Sequence, residues 1–322
     1  MSVRVALAGD TMLGRGVAEQ LRERPARELF APGVRKAVAD ADLFLLNLEC
    51  CVSKRGTPWP DPDKMFWFRA PPAAADQLAA LGVDCVTLAN NHALDFGHTA
   101  LLDTLRNLER VGIRFVGAGG DLARARAEAV FTLGGLRLAV LGVTDHPADY
   151  AAGSQTPGVA HVNLRQGPPR WLTERVRRLR DEGDLVLVTP HWGPNMVAEP
   201  LPYVRNSAAS LVEAGASVVA GHSAHVFHGI AGPVLFDLGD FLDDYAVHPV
   251  LRNDLGLLFV LTLDERGLDH VEAVPLALDY CHTRLAGPTE YAWIRDRFAL
   301  ACAALDSTVT DEGDHLRVCC RS

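Results

Sequence analysis

The sequence predicts an α/β fold, and three features carry that prediction. Short apolar runs of strand length, such as residues 3–8 and 43–46, alternate with longer stretches of helical period. Several of those runs end in a polar cluster rather than in a plain turn. Two later stretches read as β-hairpins, residues 129–141 around Gly134-Gly135 and residues 256–262 with 270–275, which adds antiparallel strands to a mixed sheet or a second sheet. At 322 residues with 48% hydrophobic content, the chain can bury a large core, as one domain or two.

The first strand, residues 3–8, ends in Gly9-Asp10 and opens through Thr11-Met12-Leu13-Gly14-Arg15 into a helical pattern over 17–29. Chemistry in α/β proteins sits at the carboxyl edge of the sheet, so Asp10 is open between a ligand and a helix N-cap. A helix over 34–42 leads to the second strand, 43–46, which ends in Asn47-Leu48-Glu49. A buried Glu49 needs a partner because an unpaired interior charge is costly, and a metal ion would supply one.

Residues 53–72 are a long irregular insertion. They carry Lys54, Arg55, Lys64 and Arg69 among prolines and the aromatics Trp59, Phe66, Trp67 and Phe68. Too aromatic for disorder, the insertion reads as a substrate-facing loop whose cations bind an anion; the alternative is a solvated surface loop.

A helix over 73–81 stops at Gly82, and a third strand, 83–89, delivers Asn90-Asn91-His92 with Asp95 three residues on. A helix over 99–111, a strand over 112–116 and a helix over 122–128 precede the first hairpin. The glycines at 117–120 lack the strand, G-x-G-x-x-G, helix order, so no nucleotide loop is read there. His146 lies in a loop beyond Val143 and reads as surface. An Arg-rich helix over 170–182 precedes a strand over 184–189 that ends in Pro190-His191-Trp192-Gly193. A helix over 206–214 and an apolar run over 216–220 end in Gly221-His222-Ser223-Ala224-His225, where the glycine permits a sharp turn. The organisation expected is a single domain over 1–285, with a C-terminal helix and a polar tail over 286–322 packed on it or trailing it.

Composition narrows the function. A net charge of −9, with Lys36, Lys54 and Lys64 the only lysines, argues against nucleic-acid binding by counterion release. The N-terminus has no basic start or cleavage pattern, and no run approaches the roughly 18 apolar residues of a membrane span, so neither a secretory leader nor an anchor is expected. Seven cysteines without a C-x-x-C spacing predict no disulfide framework and fit a reduced, cytoplasmic protein.

Five segments thus place Asp10, Glu49, Asn91 with His92, His191, and His222 with His225 directly after apolar strands. Asp, Glu, Asn and His suit a divalent ion such as Mn, Fe or Zn, and this set is large enough for one ion or two.

Gly9-Asp-Thr-Met-Leu-Gly-Arg15, Asn47-Leu-Glu49, Leu88-Ala-Asn-Asn-His-Ala-Leu-Asp-Phe-Gly97, His191-Trp-Gly193 and Gly221-His-Ser-Ala-His-Val226 resemble, in order, the motifs of the CapA-type proteins of poly-gamma-glutamate capsule synthesis. That family is similar to the calcineurin-like metallophosphoesterases, and the resemblance runs from residue 3 to about 245. It implies a four-layer αββα sandwich of two mixed β-sheets flanked by helices. It also implies that Asn91, His191, His222 and Glu49 hold one ion, while Asp10, Glu49 and His225 hold another. His92 would act as proton donor with Asp95 orienting it. Position 12, a histidine in the phosphoesterases, is Met12 here; Ser223-Ala224 replaces a usual His-Pro, and Gly239-Asp240 stands where Gly-Asn is common.

The implied function is a metal-dependent hydrolase that uses a metal-activated water on a phosphoester, or on an amide of a small or short peptide substrate bearing carboxylates. Arg15 and Arg69, with Lys54 and Arg55, would bind those carboxylates. The alternatives are an amide-forming ligase or transferase, for which no P-loop is visible, and a non-catalytic accessory protein with a partial metal site. Capsule proteins of the family usually carry an N-terminal anchor, and none is visible here.

Overall fold

A computed structural model of the chain describes residues 2–23 and 28–321. Two sheets dominate it. The larger runs Val309–Asp311, Leu316–Cys319, Gly267–Asp279, Leu255–Asp264, Ser2–Thr11, Leu43–Leu48, Cys85–Thr87 and Arg114–Val116, with His282–Leu285 on the third of these and Asp240–Leu242 on the fifth. The smaller runs Ile230–Ala231, Val234–Leu235, Val218–Ala220, Leu185–His191, Leu136–Thr144 and Ala129–Leu133. Both mix parallel and antiparallel pairings.

The period-two alternation of a strand decides what lies on each face. Val3, Val5, Leu7, Leu43 and Leu45 pack with Leu138, Val140, Leu185, Leu187, Val218 and Ala220 from the smaller sheet, forming a core between the sheets. Ala6, Ala8, Phe44 and Leu46, one residue out of phase, face outward against Val17, Val34, Leu78 and Leu101. Those four belong to the helices Arg15–Glu23, Pro32–Ala39, Ala73–Leu81 and Gly97–Arg110. On the far side, Ala139, Leu141, Val186, Val188 and Val219 pack against Leu172, Val176, Ala208 and Leu211 of the helices Arg170–Asp181 and Pro202–Ala214. The layers are α, β, β, α, the four-layer sandwich that the family resemblance implied.

Most elements fall where the apolar periodicity places them, with shifted boundaries. The helix expected over 17–29 runs Arg15–Glu23, and its expected continuation crosses residues 24–27, which lie outside the described residues. The helix expected from 206 begins at Pro202, because proline is well suited to the first helical turn. The stretch 122–128 holds only one turn, Leu122–Ala125, capped by Asp121 accepting from the Arg124 N–H. The hairpin over 129–144 turns at Gly134 and Gly135, with φ of 51° and 87° that an L side chain resists.

The expected C-terminal helix is present and packs on the domain, and the stretch after it is a hairpin where a polar tail is expected. Helix Pro288–Ala303 buries Ile294, Phe298 and Cys302 in the inter-sheet core, and Val309–Asp311 with Leu316–Cys319 forms a hairpin paired to Gly267–Asp279. Leu316 and Val318 supply the period-two apolar signal, which is too short to stand out in a polar stretch. Among the described residues no helix is long and apolar enough to cross a membrane.

Candidate metal centre

The carboxyl ends of four strands and their following turns converge at one edge of the sandwich. Strand Ser2–Thr11 pairs in parallel with Leu43–Leu48 and with Asp240–Leu242, which sets Asp10 beside Asn47 on one side and Asp240 on the other. Gly9 makes the second approach possible, since a Cβ there would sit 1.8 Å from the Gly239 carbonyl oxygen. The smaller sheet brings His191 alongside His222 through an isolated parallel bridge.

Two overlapping groups of ligand atoms result. Asp10, Glu49 and His191 form one, Asp10, His225 and Asp240 the other, each with its atoms within 4.8 Å of one another. Within them His191 Nε2 lies 3.2 Å from Glu49 Oε1, and His225 Nδ1 lies 2.8 Å from Asp240 Oδ1 and 3.4 Å from Asp10 Oδ2. His222 Nδ1 is 3.3 Å from Asp10 Oδ1. Asp10 is therefore the shared acid. The resemblance gave that place to Glu49, and it left Asp240 out.

The turn carrying the last two imidazoles is held in a strained backbone. Ser223 and His225 have φ of 114° and 60°, a region costly for side chains with a Cβ. Three bonds secure it: Ser223 N–H to Asp10 Oδ2 at 3.3 Å, Ser223 Oγ to the Gly193 carbonyl at 2.8 Å, and Ala224 N–H to Asp237 Oδ2 at 2.9 Å.

The donor set passes a fit test for a divalent cation. Glu49 Oε2, Asn91 Oδ1, His191 Nδ1, Asp240 Oδ2 and both ring nitrogens of His222 are buried without a completed hydrogen bond. Buried polar atoms are rarely left so, and six in one place call for a shared partner. The charge pattern agrees. Burial and then the Asp10 charge push the Glu49 carboxyl well above its ordinary range, and burial with Asp243 and Asp10 does the same to Asp240. Burial also raises Asp243, to about 6. Burial opposes ionisation of Asp10 too, but His222, 3.3 Å away, and the charges of His225 and His191 hold it well below the carboxylate range. Carboxylates that resist ionising together are the natural ligands of a doubly charged ion.

His92 sits beside this centre with a separate support. Its Nδ1 bonds Asp95 Oδ2 at 2.7 Å, and its ring stacks on Phe68 at 4.1 Å between centroids. Asp95 is fully buried and also accepts from the Phe68 N–H, from Tyr150 Oη at 3.1 Å and from Lys64 Nζ at 2.9 Å. An amide relay joins the motifs: Asn47 Nδ2 donates to Asp10, Asn90 Nδ2 to Asn47 Oδ1, and the His92 N–H to Asn90 Oδ1. Asn91 is half-buried, and its carbonyl accepts from Lys64 Nζ at 2.8 Å. Of the basic residues in the insertion, Lys64 reaches the site; it was an anion-binding candidate in the sequence and is instead a partner of Asp95.

The other cations expected to hold substrate have partners of their own or are exposed. Arg15 pairs with Asp244 at 2.7 Å, and Arg55 pairs with Asp103. Arg69 donates to the Arg55 and Gly56 carbonyls and lies 4.1 Å over the Phe96 ring, while Lys54 is exposed. Sequence reasoning also left His146 at the surface. It is half-buried, and its ring lies 5.0 Å from that of His191. The visible signal was its place just past the Leu136–Thr144 strand. Asp240 follows a stretch interrupted by Asp237 and Gly239, and its visible signal was its place where Gly-Asn is common in the family. Met12, where the phosphoesterases have a histidine, is buried and its sulfur accepts the Gly14 N–H, so position 12 adds no ligand.

Two face-to-face mixed sheets with helices outside, and acids and imidazoles gathered at their strand ends, define a protein of the calcineurin-like metallophosphoesterase class. The family model described as bacterial capsule synthesis protein PGA_cap matches residues 4–245, and the chain belongs to that family. A Mycobacterium tuberculosis protein described as a probable polyglutamine synthesis accessory protein is 32% identical, over 91% of this chain and 90% of its own length. The PGA biosynthesis protein CapA of Bacillus subtilis is 28% identical, over 74% of this chain and 63% of its own. Among solved structures, the NAD nucleotidase of Haemophilus influenzae aligns with a TM-score of 0.46 at 12% identity, covering 92% of this chain and 62% of that one.

Proposed function

We propose that the protein is a metal-dependent hydrolase of phosphoester or amide bonds. The observation that carries the reading is the set of six buried ligand-type atoms without a completed hydrogen bond, at and beside the two overlapping ligand groups. Asp10, Glu49, His191 and His222, with Asn91, would hold one divalent ion; Asp10, His225 and Asp240 would hold a second. A divalent ion in this place supplies Lewis acidity toward the electrophile and the attacking water.

The residues of the chain supply positioning and proton transfer. Asp95, held by Lys64, Tyr150 and the Phe68 N–H, fixes the His92 ring through Nδ1 and leaves Nε2 as the free edge. His92 Nε2 gives its proton to the departing oxygen or nitrogen, and the proton lost by the attacking water restores it. Water oxygen thus ends on phosphorus or carbonyl carbon. Proton transfer of this kind is worth roughly 10²- to 10⁴-fold in rate.

The test is to load the full chain with Mn²⁺, Fe²⁺ or Zn²⁺, count bound metal, and measure phosphate release from aryl phosphates and amine release from gamma-glutamyl amides. Turnover that requires metal, and that falls at least about a hundredfold in His92→Ala, is expected from the scale of positioned proton transfer. Metal bound without turnover of either class would refute it.

The loss of an imidazole at position 12, together with the word accessory in the mycobacterial relative's description, favours one second reading: a non-catalytic binding protein with a partial metal site. Less than one ion per chain after reconstitution, with no turnover, is its signature.

A further inference from the structure

A cavity of about 520 Å³ opens directly beside the metal centre, with His92 and His225 in its wall. Its remaining wall is largely apolar. Phe66, Phe68 and Tyr245 line it, with Val247 and Pro249 at the mouth. Phe66 and Val247 are 50% and 54% exposed, so two large apolar side chains stand open to solvent at this entrance. The aromatic rings form a tier: Phe66 stacks parallel to Phe68 at 6.4 Å, and Phe68 stacks on His92. Tyr245 closes the side, edge-on to His225 at 5.4 Å.

Apart from the exposed Asn195 amide, which carries no charge, the polar groups in the wall beyond His92 and His225 have little to offer an anion. Arg15 is neutralised by Asp244, whose carboxylate also accepts the Gly16 N–H, and its guanidinium lies within 5.6 Å of all three ring centroids. His248 accepts the Val250 and Leu251 N–H groups on Nδ1, which leaves one neutral N–H on Nε2. Asn253 is occupied by the His248 N–H and the Ala246 carbonyl. A substrate with a chain of carboxylates would desolvate them here with no free cation in return. A flat apolar group would cover exposed ring and methyl surface that is otherwise wet.

We propose that this cavity receives an aromatic leaving group, so that the substrate class is an aryl-bearing ester or amide and not a polyanionic chain. The proposal rests on the hydrolase reading for the word leaving. His92 fixes the side, because the residue that protonates the departing atom also lines the cavity. Arg15 contributes a cation above the rings that strengthens the stack without acting as an anion receptor.

Calorimetric titration of the metal-loaded full chain with two non-hydrolysable probes, 1-naphthylmethylphosphonate and methylphosphonate, separates the apolar pocket from the phosphonate-binding centre. The naphthyl probe is expected to bind at least about thirtyfold more tightly, the scale of discrimination that several buried ring carbons give. Phe66→Ala, at a half-exposed position that does not hold the core, is expected to cut that ratio severalfold. Equal affinities, or a ratio unmoved in both Phe66→Ala and Tyr245→Ala, would overturn the pocket assignment. The two readings fail separately: naphthyl selectivity without turnover of either 1-naphthyl phosphate or gamma-glutamyl-1-naphthylamide leaves the pocket and removes the hydrolase, whereas turnover with no aryl preference does the reverse.

Discussion

Replacing Asp240 by Asn should change stability in opposite directions with and without metal. Asp240 shares a buried site with Asp10 and Asp243, and its carboxyl is pushed up by burial and by both neighbours. Asparagine keeps an oxygen for His225 and removes the charge. In chelator the variant is therefore expected to gain about 1 kcal/mol, the scale of a single favourable substitution. With metal at 100 times its dissociation constant, the wild-type protein gains about 2.7 kcal/mol. For a chain of 322 residues, an unfolding entropy of about 2.1 cal/mol/K per residue makes that a rise of about 4 °C, and 1 kcal/mol about 1.5 °C. Asp240→Asn should thus melt about 1–2 °C higher in chelator yet lose half or more of the metal-induced shift. Thermal melts by circular dichroism in EDTA and over a Mn²⁺ or Zn²⁺ series read both quantities, with metal content measured in parallel. A variant that melts lower in chelator and keeps the full metal shift would show that Asp240 is a structural acid and not a ligand.

Three further outcomes test the frame around the centre. Tyr150→Phe removes one donor from the buried Asp95 carboxylate, so it should cost about 1.5 kcal/mol in urea unfolding and lower kcat with little change in KM. Gly221→Ala places a Cβ 2.2 Å from the Phe236 carbonyl oxygen and 2.4 Å from Trp192 Nε1, so at least about 3 kcal/mol of destabilisation and weakened metal binding are expected. Burial pushes His228 down to about 4. A folded-state value below the unfolded one of about 6.5 gives stability that is full above pH 6.5 and is lost as pH falls toward 4, roughly 3 kcal/mol in all. Unfolding free energies at pH 7 and pH 4.5 should fall less in His228→Gln than in wild type, and equal falls would place the acid sensitivity elsewhere.

The strands and the residues at their ends were legible because both are local. An apolar run of period two and the polar cluster that follows it lie within ten residues, so Asp10, Glu49, His92, His191, His222 and His225 could be read in order. The out-of-phase residues of a single strand, such as Leu7 against Ala8, even carried the information that both faces would be covered. What the sequence could not decide is which strands become neighbours. Asp10 meets Asp240 because Ser2–Thr11 lies parallel to Asp240–Leu242, and only that pairing makes Asp10 the acid common to both ligand groups. The basic residues show the same limit. Arg15, Arg55 and Lys64 looked alike as anion-binding candidates, but Asp244 and Asp103 pair with the first two and buried Asp95 with the third. The partner of Arg15 is 229 residues away. Local pattern thus fixes the kind of ligand a strand end presents, whereas charge pairing and ligand sharing depend on through-space distances that the strand order alone sets.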